Sequence, residues 1–110
     1  MSMQSGISID SASKVVYVCH PFGAKQTENI SSIRKVCCSL LAEGCIPLAP
    51  QLFLPQFLDE AIERDRALSI CLRLVAVVDE LRVYGKPSAG MRIEIAEARR
   101  LGILVVEGRE

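Results

Sequence analysis

Apolar residues along this chain fall into two kinds of pattern that alternate. Short unbroken runs occur at Lys14–His20 (KVVYVCH), Cys45–Ala49, Leu74–Val78 and Ile103–Val106. Runs of this kind, bounded by breakers, predict strands covered on both faces. Between them the apolar positions repeat near every 3.6 residues. Ile30, Ile33, Val36, Cys37, Leu40 and Leu41 predict a helix that Thr27 or Asn29 caps and Gly44 stops. Leu58, Ala61, Ile62, Leu68 and Leu72 predict a second helix over Leu58–Cys71. Met91, Ile95, Ala98 and Leu101 predict a third, with Ser88 as N-cap behind Pro87 and Gly102 at its end. Pro21-Phe22-Gly23 breaks the first strand, and Pro47 marks the second as an edge strand. Gln51–Phe57, interrupted by Pro55, reads as a loop with one helical turn. Its Gln51-Leu52-Phe53-Leu54 segment is expected to be exposed and to suit a subunit contact.

The resulting order is β-α-β-α-β-α-β. Strands alternating with helices through short loops imply a three-layer α/β fold, flavodoxin-like or Rossmann-like, around a parallel four-stranded sheet. Right-handed crossovers and an edge second strand give the order 2-1-3-4. Ligands in such sheets bind outside the carboxyl ends of the strands, where the winding reverses. Here that place lies between strands one and three. On this reading, His20-Pro21-Phe22-Gly23 arrive there from the first strand and Asp79-Glu80 from the third. Ser88-Ala89-Gly90 opens the last helix on the same side, with Glu94 one turn inside it.

Composition narrows the class. The chain has 110 residues, half of them hydrophobic and 24% charged. That fits a single globular domain over residues 14–110 behind a flexible N-terminal tail, residues 1–13. No apolar run approaches the ~20 residues of a membrane span, and no signal-peptide order is seen. Thirteen basic side chains balance thirteen acidic ones, so no basic face marks a nucleic-acid polymer as partner. The Arg99-Arg100 pair reads as a solvated helix end whose charge suits the dipole. Five cysteines, Cys19, Cys37, Cys38, Cys45 and Cys71, sit in apolar surroundings without a C-x-x-C spacing. They read as free thiols in a reducing cytoplasm, not as a disulfide or zinc framework.

Candidate chemistry begins with Glu94. At about 100° per residue it projects between Leu101 and Ala98, on the face meant for the core. Acids are rarely covered without a partner or a task. It is either satisfied by an arginine or backbone group, or it is a nucleophile or base facing the cleft. Asp79 reads equally as a strand-end ligand contact or a turn residue. Asp65, beside Arg64 and Arg66, reads more simply as surface charge. Strand alternation gives Tyr17 one face and Val16 and Val18 the other, so a covered Tyr17 hydroxyl needs a partner. His20 is a ligand contact or a turn residue. Ser88 and Gly90 form either an anion-binding helix start or an ordinary cap with a closely packed glycine. No dinucleotide fingerprint or phosphate loop is present.

Together these residues resemble the nucleoside 2-deoxyribosyltransferase-like family, in particular its small bacterial and phage branch. Val16-Tyr17-Val18-Cys19-His20-Pro21-Phe22 resembles the family's opening strand and loop, and Gly44-Cys45-Ile46-Pro47-Leu48-Ala49-Pro50 its second strand. Asp79-Glu80-Leu81-Arg82-Val83-Tyr84-Gly85 and Ser88-x-Gly90-Met91-x-x-Glu94-Ile95-x-x-Ala98 are the most specific part. The resemblance implies Glu94 as nucleophile, Tyr17 as the group that orients it, and Asp79 and Asp65 as acids handling the nucleobase. It implies His20, Pro21, Phe22, Gly23, Ser88 and Gly90 as substrate contacts, with His20 reaching a phosphate. The implied chemistry is cleavage of an N-glycosidic bond, or deoxyribosyl transfer, on a nucleoside or nucleotide. The implied cofactor is none, neither metal nor redox group, and the implied state is a homo-oligomer in which a neighbouring subunit completes the site. The alternative is a binding module that holds a nucleotide-derived small molecule without turning it over.

Overall fold

The structure, a computed structural model, describes residues 7–110. Its strands are β1 (Val15–Cys19), β2 (Ile46–Leu48), β3 (Glu80–Val83) and β4 (Leu104–Glu107). Its α-helices are α1 (Gln26–Ala42), α2 (Arg64–Val75) and α3 (Ala89–Arg100). The strands form one parallel sheet in the order β2-β1-β3-β4, as the sequence predicts. Alternation along β1 divides the core. Val16 and Val18 pack with Ile33, Val36 and Leu40 of α1. Tyr17 and Cys19 pack on the other side with Val75 of α2 and with Met91, Ile95 and Ala98 of α3. The three layers follow directly from the two-residue period of β1.

Local signals explain the helix ends. Gly44 follows α1 at φ +84°, which lets the chain turn back into β2. Ser88 caps α3, its Oγ accepting from the Met91 amide at 3.3 Å, while the Met91 sulfur accepts from the Ser88 amide at 3.4 Å. α1 begins at Gln26, after a 3-10 turn at Gly23–Lys25, without a side-chain cap. Asn29 instead donates to the Phe22 carbonyl at 2.8 Å, tying the helix to the loop after β1. The part of the expected tail at residues 1–6 lies outside the described residues. From Ile7 onward the chain is tethered, because the Ile7 amide donates to the Ala42 carbonyl at 3.2 Å.

Three expectations need correction. The run Leu74–Val78 is not a strand. α2 starts at Arg64 and continues to Val75, with Leu68, Cys71, Leu72 and Val75 prolonging its helical stripe. Ala76 and Val77 then turn, and Val77 is 70% exposed. A short apolar run carries no period of its own, and the preceding helix absorbed half of it. The true third strand is ELRV, Glu80–Val83, whose two charged residues hid it. Second, the segment Leu58–Glu63 is not helical, and Ile62 is 80% exposed while Leu58 is buried within a loop. Third, Gln51–Leu54 is not an exposed patch. It falls within two 3-10 turns, Pro50–Leu52 and Leu54–Gln56, Leu54 is buried, and Leu52 packs against the α1-side core.

A charged cluster sits at the amino end of β3. Glu80, only 2% exposed, accepts from Lys14 at 2.9 Å and from the Arg82 guanidinium, which also reaches Glu43 at 3.1 Å. Burial alone pushes the Glu80 carboxyl up, but the bonds from Arg82 and Lys14 prevail and hold it below the ordinary glutamate range.

Candidate active site

Tyr17 and Cys19 are two residues apart on β1, so they share the face that α3 covers. α3 runs back from its Ser88 cap across that face and sets Glu94 over both. The Tyr17 hydroxyl donates to Glu94 Oε2 at 3.0 Å. The Cys19 thiol lies 3.4 Å from Glu94 Oε1 and 3.9 Å from the Met91 carbonyl. Each carboxylate oxygen therefore faces one donor from the same strand. Tyr17 and Cys19 are fully buried and Glu94 is half-buried.

The electrostatics follow from that burial. Loss of water pushes the Glu94 carboxyl above the ordinary range, against the donors Tyr17, Cys19 and Cys71, and the Glu60 charge pushes it further in the same direction. Burial, then the Glu94 charge, drives Tyr17 well upward, so its hydroxyl stays a donor at any physiological pH. The Cys19 thiol is pushed up for the same two reasons. Cys71 of α2 rises to about 11, through burial first, against hydrogen bonding with Tyr17. These thiols are protonated donors rather than nucleophiles. The free cysteines expected from the sequence are free here, though Cys38 is exposed rather than packed.

The other candidates do not all gather here. Asp79 is at the opposite end of the sheet. Because β3 starts at Glu80, Asp79 precedes the strand, and its Oδ2 accepts from the Val15 amide at 2.8 Å, at the start of β1. The placement of Asp79 and Glu80 at a strand's carboxyl end is thereby overturned. Asp65 is exposed in the first turn of α2. His20 is 5% exposed and lies beside the Tyr84 ring, with centroids 6.1 Å apart. Its Nδ1 is 2.8 Å from the Pro21 carbonyl, and its Nε2 is 3.2 Å from a Glu110 oxygen that lies off the line needed for a hydrogen bond. It is turned into the protein and does not face an open ligand surface. Phe22 packs partly on the α1-side core. Pro21 approaches the Gly85 turn, where a Cβ would meet its ring at 3.5 Å, so the loops after β1 and β3 touch. Gly23 and Gly90 have open space where a Cβ would stand, so close packing does not explain Gly90.

Three neighbours of Glu94 escape a reading of the sequence as core and surface. Cys19 was available from the period that places Tyr17. Cys71 looks like an ordinary core residue of α2. Glu60 lies in a loop without periodicity, between exposed Phe57 and Ile62, and nothing in its neighbourhood flags it. Two grooves of about 400 and 470 Å³ lie elsewhere, one along Arg82, Tyr84 and Gly108 and one along the outer side of α1, and neither is lined by Glu94. Among the described residues no group of three or more His, Cys, Asp and Glu side chains is placed to hold a metal ion. Among the described residues no helix is long and apolar enough to cross a membrane.

Comparison with known proteins bears on the family and the fold. The family model described as "Domain of unknown function (DUF7768)" matches residues 14–107. No curated protein matches the sequence. Among solved structures, the chain is similar to a 2-desoxiribosyltransferase from Leishmania mexicana, with a TM-score of 0.63 and 15% identity over 86% of this chain. The chain spans 63% of that protein's length. At this identity the likeness is one of fold.

Proposed function

Since the chain belongs to the DUF7768 family, whose description assigns no activity, we propose from its own residues that it cleaves the N-glycosidic bond of a nucleoside or nucleotide through Glu94. The observation that carries this reading is the 3.0 Å hydrogen bond from the buried Tyr17 hydroxyl to the Glu94 carboxylate. An acid on a core-facing helix stripe, oriented by a tyrosine that stays protonated, is arranged as a held nucleophile. A Glu94 oxygen attacks the anomeric carbon as the bond from that carbon to the base nitrogen breaks. The electron pair leaves with the nitrogen, which takes a proton from an acid, and a glycosyl ester on Glu94 remains. Water, or a second base, then accepts the sugar and frees the carboxylate. Asp79, at the amino end of the sheet and tied to the Val15 amide, is not placed to supply the proton. Glu60 acts on Glu94 and Cys71 only as a nearby charge, and water supplies the proton.

A second reading has its own support. Glu94 is boxed by Tyr17, Cys19 and Cys71 and lines neither groove, which favours a module that binds a nucleotide-derived molecule without cleaving it. Incubation with purine and pyrimidine nucleosides, deoxynucleosides and their monophosphates, read by chromatography of free base, separates the two. The proposal expects base release that Glu94→Ala lowers by more than about a thousandfold. Equal release by wild type and variant, or none at all, overturns it. Calorimetric binding of a nucleotide or an ADP-ribose-like ligand that is recovered intact supports the second reading.

A further inference from the structure

We propose that Cys19 is a second positioning residue for Glu94, which fixes the plane of the carboxylate and leaves Oε1 as its attacking oxygen. This rests on the reading of Glu94 as nucleophile. A single hydrogen bond from Tyr17 to Oε2 leaves a carboxylate free to swing about that contact. A second donor on the other oxygen removes the swing, and β1 supplies it. Residues 17 and 19 point the same way from the sheet, about 6.6 Å apart along the strand, and Glu94 spans the gap with Oε2 at 3.0 Å from one and Oε1 at 3.4 Å from the other. The thiol has one competing acceptor, the Met91 carbonyl at 3.9 Å. The carboxylate is nearer and charged, and charged acceptors make the stronger bond.

The two donors from β1 differ in kind, and Cys71, the other thiol acting on Glu94, comes from α2. A hydroxyl is a strong donor and a thiol a weak one. Oε2 is thus the tied oxygen, while Oε1 keeps more of its electron density. When Oε1 bonds to the anomeric carbon its charge falls, and the S–H···O contact loosens at little cost. Breaking the O–H···O contact would cost more. The thiol keeps its proton throughout, so no oxidant or base is needed. The strand that holds the tyrosine therefore also chooses which oxygen reacts.

The test uses infrared spectroscopy of the wild-type protein, because the S–H stretch falls in a window clear of other protein bands. Cys19→Ala identifies the Cys19 band by its loss. The expected result is that this band moves as Glu94 titrates, with the midpoint that the Glu94 carboxyl band gives, itself identified in Glu94→Gln. Cys19→Ala should raise that carboxyl midpoint by about half a pH unit, and Cys19→Ser should bring it back toward the wild-type value. In turnover, Cys19→Ala should lower kcat roughly three- to tenfold with KM unchanged. A Cys19 band that stays constant through the Glu94 titration overturns the inference. The spectroscopy needs no substrate. Coupled bands in a protein that cleaves nothing keep the positioning role and remove the catalytic reading, whereas uncoupled bands in an active protein remove this inference alone.

Discussion

Replacing Tyr17 by phenylalanine should cost stability in proportion to the ionisation of a residue 77 positions away in sequence. The ring stays in the core, so only the hydroxyl and its bond to Glu94 are lost. A bond to a charged acceptor is worth about 1.5–3 kcal/mol and one to a neutral acceptor about 0.5–1.5 kcal/mol. The sign with pH follows from the direction of the Glu94 shift. Its carboxyl titrates above the ordinary range in the folded protein. Stability linked to it is therefore full below the unfolded carboxylate value, about 4.3, and is lost as pH rises through the folded value. Removing the Tyr17 donor withdraws one of the groups that hold Glu94 down, so the folded value rises further and more stability is lost on the alkaline side. Tyr17→Phe should thus cost about 1.5–3 kcal/mol at pH 8 and only about 0.5–1.5 kcal/mol near pH 4. Near 4 °C per kcal/mol for a domain of this size, the shift in Tm at pH 8 is about 6–12 °C. Urea titration of wild type, Tyr17→Phe, Glu94→Leu and the double variant at both pH values measures the coupling directly. In the Glu94→Leu background the cost of Tyr17→Phe should shrink and lose its pH dependence. A cost that is the same at pH 4 and pH 8, or one that survives in that background, refutes the bond as the basis of the site.

Other outcomes follow from the same geometry. Asp79→Ala should destabilise by about 1 kcal/mol in urea melts, through the lost bond to the Val15 amide, and leave base release unchanged; a loss of activity would return Asp79 to the site. Glu60→Gln should move the acid limb of the pH–rate profile to lower pH, because the charge that pushes Glu94 upward is gone; an unmoved limb removes Glu60 from the site. Glu80→Ala should cost about 2–4 kcal/mol at neutral pH, since Arg82 and Lys14 are left without their shared acceptor. That is less than a fully buried pair costs, because Lys14 is half-exposed. Glu80 titrates below its unfolded value, so its contribution is present above about pH 4.3 and is lost as pH falls through the folded value. A wild-type-minus-variant stability difference that does not narrow in acid would contradict this network.

The contrast between Tyr17 and Asp79 shows which features of such a fold are legible in a sequence. Which face a residue takes is decided locally, by a two-residue period in β1 and a 3.6-residue period in α3. Tyr17, Glu94 and the split of the core between α1 and the α2–α3 side could therefore be read with no knowledge of the rest. The end of a sheet at which a residue emerges depends on where a strand starts. For β3 that was settled by competition between α2 and a run of apolar residues with no period. The helix took Leu74 and Val75, Val77 went to solvent, and the strand moved onto Glu80–Val83, carrying Asp79 from the carboxyl end to the amino end. Ion pairing made the move tolerable, because Lys14 and Arg82 meet the buried Glu80 carboxylate that a strand start requires. The pairing of Tyr17 with Glu94 survived the displacement of a strand between them in sequence, since β1 lies beside β3 in the sheet and α3 crosses β1 on the face set by Tyr17 and Cys19. Glu60 was illegible for the opposite reason. A loop has no period to assign its faces, so nothing along the chain marked that carboxylate as one within electrostatic reach of Glu94.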